Sequence, residues 1–403
     1  MYWNSMKETH FILRIPRVRT RDVFVGGAAS FNGVEAAAAH GASLEVDEIE
    51  RRDITAITQD ASVVAVAPAM PMKLIEPIAK ATDAQPAAGN VEWGIKAVGA
   101  DTSPFSGNGV VVAVLDTGID PTHSAFAGVT LVRKNFTAAG DDDEHGHGTH
   151  CAGTIFGRNT NGTRIGVAPG VTKALIGKVL GQGGGSSDKI ADAILWAVEN
   201  GAHVISMSLG IDFPGLVKRL IDNGFPPELA SSRALEAYRL NVQLFEKLAS
   251  LVRGRGAFSG QPTLLVAAAG NETERNINPD FEIGVSPPAG SEGFISVAAL
   301  GQGDPAGLTI ADFSNTGANL SGPGVAIVSA KRGGGLASMS GTSMATHHVA
   351  GVAALWAEKI KQTRSLNAFE WLGRLTGSAT SASLKPGFDP FDVGAGLAIA
   401  PQA

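Results

Sequence analysis

A single cysteine among 403 residues leaves no partner for an internal disulfide, so the fold is not a cystine-stapled scaffold. No apolar run reaches the length of about 20 residues that a membrane span needs, and no membrane association is expected. Long basic runs are also missing. The formal charge is 32 − 38 = −6, which argues against a nucleic-acid surface. The opening residues, Met1 to His10, lack the apolar centre of a signal peptide. The expectation is therefore a cytoplasmic protein, or one exported by another route, ahead of a secreted one, unless the natural start lies elsewhere. Apolar residues, by contrast, make up 44% of the chain, ample for a large core. Glycine is the other excess, with 51 residues, where a typical share of about 7% would give far fewer. Much of the fold must be turns and close backbone approaches.

Three stretches stand out. Val110 to Leu115 is an apolar run that ends abruptly in Asp116-Thr117-Gly118, as a buried parallel strand would if it delivered an acid at its C-terminal end. His145-Gly146-His147-Gly148-Thr149-His150 leads into a small-residue helix. Ser340-Gly341-Thr342-Ser343-Met344-Ala345 opens the Ala-rich run that continues to Leu355. A serine at a helix N-terminus sits where the dipole favours developing negative charge. Read alone, Thr342 or Ser343 is an ordinary N-cap.

Read together, Asp-Thr-Gly, His-Gly-Thr-His and Gly-Thr-Ser-Met-Ala, in the order Asp, His, Ser, resemble the three signatures of the subtilisin-like serine endopeptidases. The resemblance implies a doubly wound α/β fold with a mostly parallel sheet. It also implies a triad in which Ser343 is the nucleophile, His147 its base and Asp116 the carboxylate that holds the imidazole tautomer. Leu264 to Ala269 is another apolar strand, ending in Gly270-Asn271, and the resemblance assigns Asn271 as oxyanion donor. It further implies that Gly183, Gly184 and Gly185 form one wall of a substrate cleft and that Ser208, Leu209 and Gly210 form the other. Ala268, Ala269 and Gly270 would line an open apolar pocket, with Glu272 at its rim. A competing reading takes Asp141, Asp142, Asp143, His145, His147 and His150 as a metal cluster, but it leaves Ser343 and Asp116 unexplained.

Residues 1–75 have the texture of a small α+β unit. Strands are expected at His10–Ile15, Ala42–Val46 and Val63–Ala69, and helices at Gly33–His40 and Ile54–Asp60. Its position resembles that of the family's propeptide, a ferredoxin-like chaperone and inhibitor whose tail occupies the cleft. Residues 76–90 read as an exposed linker and 91–403 as the catalytic domain. After Gly210 comes an insert, residues 211–230, rich in apolar groups, followed by a helix expected over Ser232–Val252. The family's strong calcium site takes an acid where this chain has Ala125, and the loop Arg158 to Thr163 offers only neutral oxygens. No cofactor is expected to be required, with calcium at most weakly bound and no catalytic metal. The expected partners are a polypeptide substrate and the chain's own N-terminal unit, in a monomer. Two alternatives remain: a latent fold of this type used for binding, or a processing protease with one dedicated substrate.

Overall fold

Apolar runs too short for helices and lacking alternation should become strands buried on both faces, and the computed structural model arranges them so. It describes residues 7–16, 41–79, 81–86, 89–303 and 307–403. The central sheet has eight strands: β6 (Val111–Asp116), β7 (Thr130–Asn135), β8 (Lys173–Lys178), β10 (Val204–Met207), β12 (Leu264–Ala268), β13 (Phe294–Gln302), β14 (Leu308–Ile310) and β15 (Leu320–Pro323). Their spatial order is β14-β13-β12-β10-β6-β8-β7, with β15 also beside β13. All these pairings are parallel except that of β13 with β14.

The period of two along β6 sorts its side chains to opposite faces. Val112 and Val114 pack into one apolar cluster with α3 (His147–Phe156) and α7 (Thr342–Lys361). Ala113 and Leu115 enter a second cluster with α4 (Ser187–Glu199). Helices therefore cover both faces, as the doubly wound reading requires. The C-terminal ends of β6, β10 and β12 lie side by side and deliver Asp116, Ser208 and Asn271 to one edge.

The N-terminal unit is a three-stranded antiparallel sheet in the order β2-β1-β3, built from β1 (Lys7–Arg14), β2 (Ser43–Glu50) and β3 (Val63–Pro68) with a short helix α1 (Ile54–Thr58). The expected helix over 33–40 lies outside the described residues, and the described ones do not make up a complete ferredoxin-like arrangement. The described residues of 76–90 are mostly exposed but not all unpaired. Within them β5 (Thr82–Ala84) pairs with the hairpin β16 (Ile327–Ala330) and β17 (Leu336–Met339). That pairing uses backbone groups, which a polar Pro/Ala-rich stretch supplies without an apolar pattern. Helix α4 starts at Ser187, with Ser186 as N-cap and Asp188 in its first turn.

The insert is largely helical. It forms a helix of its own, α5 (Phe213–Asp222), and the following helix α6 (Pro227–Ser259) is 33 residues long, starting earlier and ending later than the apolar repeat implied. Pro226 and Pro227 set that start, since proline is pre-organised for the first helical position. Gly260, at φ 71°, supplies the left-handed C-cap. Among the described residues no helix is long and apolar enough to cross a membrane.

Candidate active site

Asp116 ends β6 fully buried, and its Oδ1 accepts from the Thr117 backbone N–H at 2.7 Å and from His147 Nδ1 at 2.8 Å. His147 is the first residue of α3 and is also fully buried. With Nδ1–H committed to the carboxylate, Nε2 is left as the basic nitrogen. Burial alone would lower the His147 pKa, but the charge and hydrogen bond of Asp116, with Asp143 and Glu76 adding, hold it above 6.5. Burial would likewise raise the Asp116 carboxyl, yet His147 outweighs it and holds the group below its ordinary 3.8. The two shifts agree: each partner stabilises the charged form of the other.

The two turns that carry this pair touch at glycines. A Cβ on Gly148 would lie 2.1 Å from the Gly118 carbonyl oxygen, and Gly118 itself has φ +109°. No side chain fits between the Asp turn and the His helix. One residue that the sequence reading left in a discarded metal cluster completes the support. Asp143 is buried and accepts from Thr117 Oγ1 (2.9 Å), the backbone of His145 (3.0 Å) and Gly146 (2.8 Å), and both the N–H (2.9 Å) and Oγ1 (2.7 Å) of Thr149. It locks the turn that aims His147. The spacing to the His motif was visible in the sequence; the inward direction of one acid among three was not.

Ser343 is the second residue of α7, after Gly341 and Thr342. Asn271 follows β12, and its Oδ1 accepts from both the N–H and the Oγ1 of Thr342 at 2.9 Å. Those two bonds fix the carboxamide flip, so Nδ2 points into the cleft beside Ser343. Gly270 N–H donates to Thr342 Oγ1 at 3.2 Å, tying the strand end to the serine helix. Ala268 and Ala269 are fully buried at that strand end.

The cleft is filled by the chain itself. Strand β4 (Pro71–Leu74) lies between β11 (Leu209–Ile211) and β9 (Gly185–Ser186), antiparallel to both. Lys73 registers with Gly210 and Met72 with both Ile211 and Gly185. A Cβ at Gly184, which has φ +82°, would lie 2.5 Å from the Met72 carbonyl oxygen. Gly185 and Ser186 do the pairing, and Gly183 borders a cavity of about 520 Å³ beside the strand. Beyond β4, Ile75 N–H donates to Ser208 O at 3.2 Å, and Ile75 O accepts from Ser343 Oγ at 3.2 Å. Asn271 Nδ2 donates one residue further on, to Glu76 O at 2.8 Å. Ile75 is 2% exposed, and the Glu76 side chain stands in solvent. Among the described hydrogen bonds, Ser343 Oγ is thus engaged with Ile75 and not with His147. Glu272 Oε1 lies 3.1 Å from Lys73 Nζ, and its Oε2 would lie 2.5 Å from a Cβ on Gly270.

The metal reading does not assemble. Asp142 pairs with Arg133, Asp141 accepts from Asn135, and His150 Nε2 lies 3.0 Å from Ile327 O. Among the described residues, the group with ligand spacing is Asp116, His147 and Cys151, which is the acid–base pair and its neighbour. Near Ala125 the loop brings no carboxylate, and its one charge is a cation. The Arg158 guanidinium donates to the carbonyls of Phe156 (3.1 Å), Val171 (2.9 Å) and Pro169.

Comparison with known proteins identifies the family. The model of the subtilase family matches residues 107–384. The thermostable alkaline protease of Halalkalibacterium halodurans is 33% identical over 315 residues, 76% of this chain and 70% of that protein. Subtilisin Savinase of Lederbergia lenta is 35% identical over 278 residues, 67% of this chain and 85% of its own. Among solved structures, fervidolysin from Fervidobacterium pennivorans, a keratinolytic enzyme related to subtilisin, overlays with a TM-score of 0.65 at 22% identity. The overlay covers 99% of this chain and 61% of that one, and shows the fold.

Proposed function

The chain belongs to the subtilase family and is a serine endopeptidase acting on polypeptides, and from that premise we propose that Asp116, His147, Ser343 and Asn271 carry its chemistry in a zymogen. The observation that carries this reading is the course of residues 71–76. They run as the middle strand of the cleft, with the Ile75 carbonyl at Ser343 Oγ and the Ile75 N–H on Ser208 O.

Ser343 Oγ attacks the carbonyl carbon while His147 Nε2 takes its proton, and Asp116 stabilises the imidazolium that results. The carbonyl oxygen becomes an oxyanion. Asn271 Nδ2 releases Glu76 O and turns one peptide back to meet it, joined by the Ser343 backbone N–H. His147 then passes its proton to the leaving amine, and water repeats the sequence to free the acid. Because burial leaves the Ile75 side chain almost no solvent contact, the enzyme prefers a large apolar residue before the scissile bond. The bond so presented in its own chain is Ile75–Glu76. One chain supplies all four groups, and no cofactor enters these steps.

Intact mass measurement tests the reading. Purified wild type should lose residues 1–75, while Ser343→Ala, with turnover reduced by several orders of magnitude, should stay full length. A Ser343→Ala protein cut at the same bond at the same rate would sink it.

A further inference from the structure

Two side chains of the segment lying in the cleft meet charged or polar groups that the chemistry of hydrolysis does not use. Lys73, two residues before Ile75, places its Nζ 3.1 Å from Glu272 Oε1. Glu76, directly after Ile75, places its carboxylate 3.4 Å from His145 Nε2. Neither partner is free to wander. Glu272 Oε2 accepts from Asn315 Nδ2 at 2.9 Å, which leaves Oε1 turned to the cleft. His145 is anchored through its backbone N–H on the buried Asp143, in the same turn that starts the His147 helix. The nearby cation Lys178 is already committed to the carbonyls of Gly140 (2.6 Å) and Asp142 (2.7 Å), so it does not compete for the Glu76 carboxylate. The register of Lys73 with Gly210 fixes which substrate residue Glu272 reads.

We propose that Glu272 and His145 are specificity-determining residues that read charge on either side of the scissile bond. Glu272 selects a basic side chain at the third residue before the bond, and His145 selects an acidic one at the first residue after it. The inference rests on the reading of residues 71–76 as bound in the manner of a substrate. Both contacts are solvent-exposed, so each is worth about two- to five-fold in kcat/KM. Reversing a charge should cost somewhat more than removing it.

The test uses fluorogenic peptides spanning the sequence of residues 71–79. They carry Lys, Ala or Glu at the Lys73 position and Glu, Ala or Lys at the Glu76 position, and are cleaved by the wild-type preparation. The doubly alanine-substituted peptide is the reference. Its cleavage by wild type and not by Ser343→Ala checks the catalytic reading separately, and without such cleavage the inference falls with that reading. Given it, the expected order is Lys over Ala over Glu at the first position and Glu over Ala over Lys at the second. Glu272→Gln should flatten the first series alone, and His145→Ala the second alone. Equal kcat/KM across a series in the wild type overturns the proposal for that residue, as does a preference that survives the matching variant.

Discussion

Cys151 lies one helical turn beyond His147, with Sγ 3.6 Å from Nδ1 and 3.8 Å from Nε2 of the imidazole. Burial, with the charges of Asp116 and Asp143, pushes its thiol pKa well above the ordinary value, so it rests as a protonated, inert packing group. Alkylating reagents should therefore react slowly at neutral pH. A mercurial that does bind should displace the ring and abolish activity, and full activity after stoichiometric labelling would overturn that geometry. Arg158 makes a second residue-scale prediction. A hard cation is held chiefly by carboxylates, but the position where the family takes an acid is the fully buried Ala125, and the neighbouring Arg158 brings a guanidinium that donates to the carbonyls of Phe156, Pro169 and Val171. Many members of the family bind calcium, although they typically work without cofactors. In this chain excess chelator and millimolar calcium should give thermal midpoints within about a few degrees of each other. Arg158→Gln should lower the midpoint in both conditions by leaving those carbonyls under-satisfied. A large calcium-induced rise in the wild type would reveal a strong site elsewhere.

At the scale of elements, α5 and the front of α6 act on the N-terminal unit and the cleft together. Asp212, which caps α5, donates its N–H to Pro71 O at 2.9 Å, and Phe213 stacks edge-on against Tyr238 of α6 at 6.0 Å. Further along α6, Asn241 Nδ2 donates to Pro68 O at 2.8 Å, Glu236 pairs with Arg51 at 2.9 Å, and Arg233 pairs with Glu8. Phe213 and Leu216 of α5 pack against the apolar cluster that holds Met70 and Met72, so, under the proposed zymogen reading, replacing residues 213–224 with a short Gly-Ser bridge should weaken inhibition by the N-terminal unit about tenfold, the equivalent of one partly buried apolar side chain. Turnover of small esters should stay near normal. Unchanged inhibition with only a lower melting temperature would make α5 structural. The sequence showed why these apolar groups must cover something, but not the helix ends. Its repeat stops at Val252, whereas backbone capping by Gly260 carries α6 on to Ser259. The strands β6 and β12 were legible for the opposite reason. Burial on both faces demands unbroken apolar residues, and the first polar residue marks where the site begins.

At the scale of the whole molecule, the docking of β4 was expected only through the resemblance to a family whose propeptide tail occupies the cleft, because Pro71 to Leu74 pairs through its backbone and carries no motif of its own. The histidines of the core were equally silent, although they set how the fold responds to acid. His347, one turn beyond Ser343, donates its Nδ1–H to Ser343 O at 2.5 Å, and burial lowers its pKa to about 4. Burial, with the charge of Lys361, lowers His203 to about 4, and burial, with the charge of His147, lowers His150 to about 3. In the unfolded chain each would take a proton near 6.5. Between that value and about 4 the unfolded state therefore binds more protons than the folded one, and stability falls as pH falls through this window. His147 works in the other sense: raised above 6.5, its contribution is complete below 6.5 and fades as pH rises through the raised value. Asp116 joins the loss only at the acid end, below its ordinary 3.8. Three lowered imidazoles outweigh one raised one, so the thermal midpoint of Ser343→Ala, which cannot digest itself, should drop by at least about 5 °C between pH 7 and pH 4.5. His203→Gln should flatten that slope, since a carboxamide can still accept from the Val111 N–H but takes up no proton. A midpoint at pH 4.5 equal to or above that at pH 7 would show that these rings are already protonated in the folded protein.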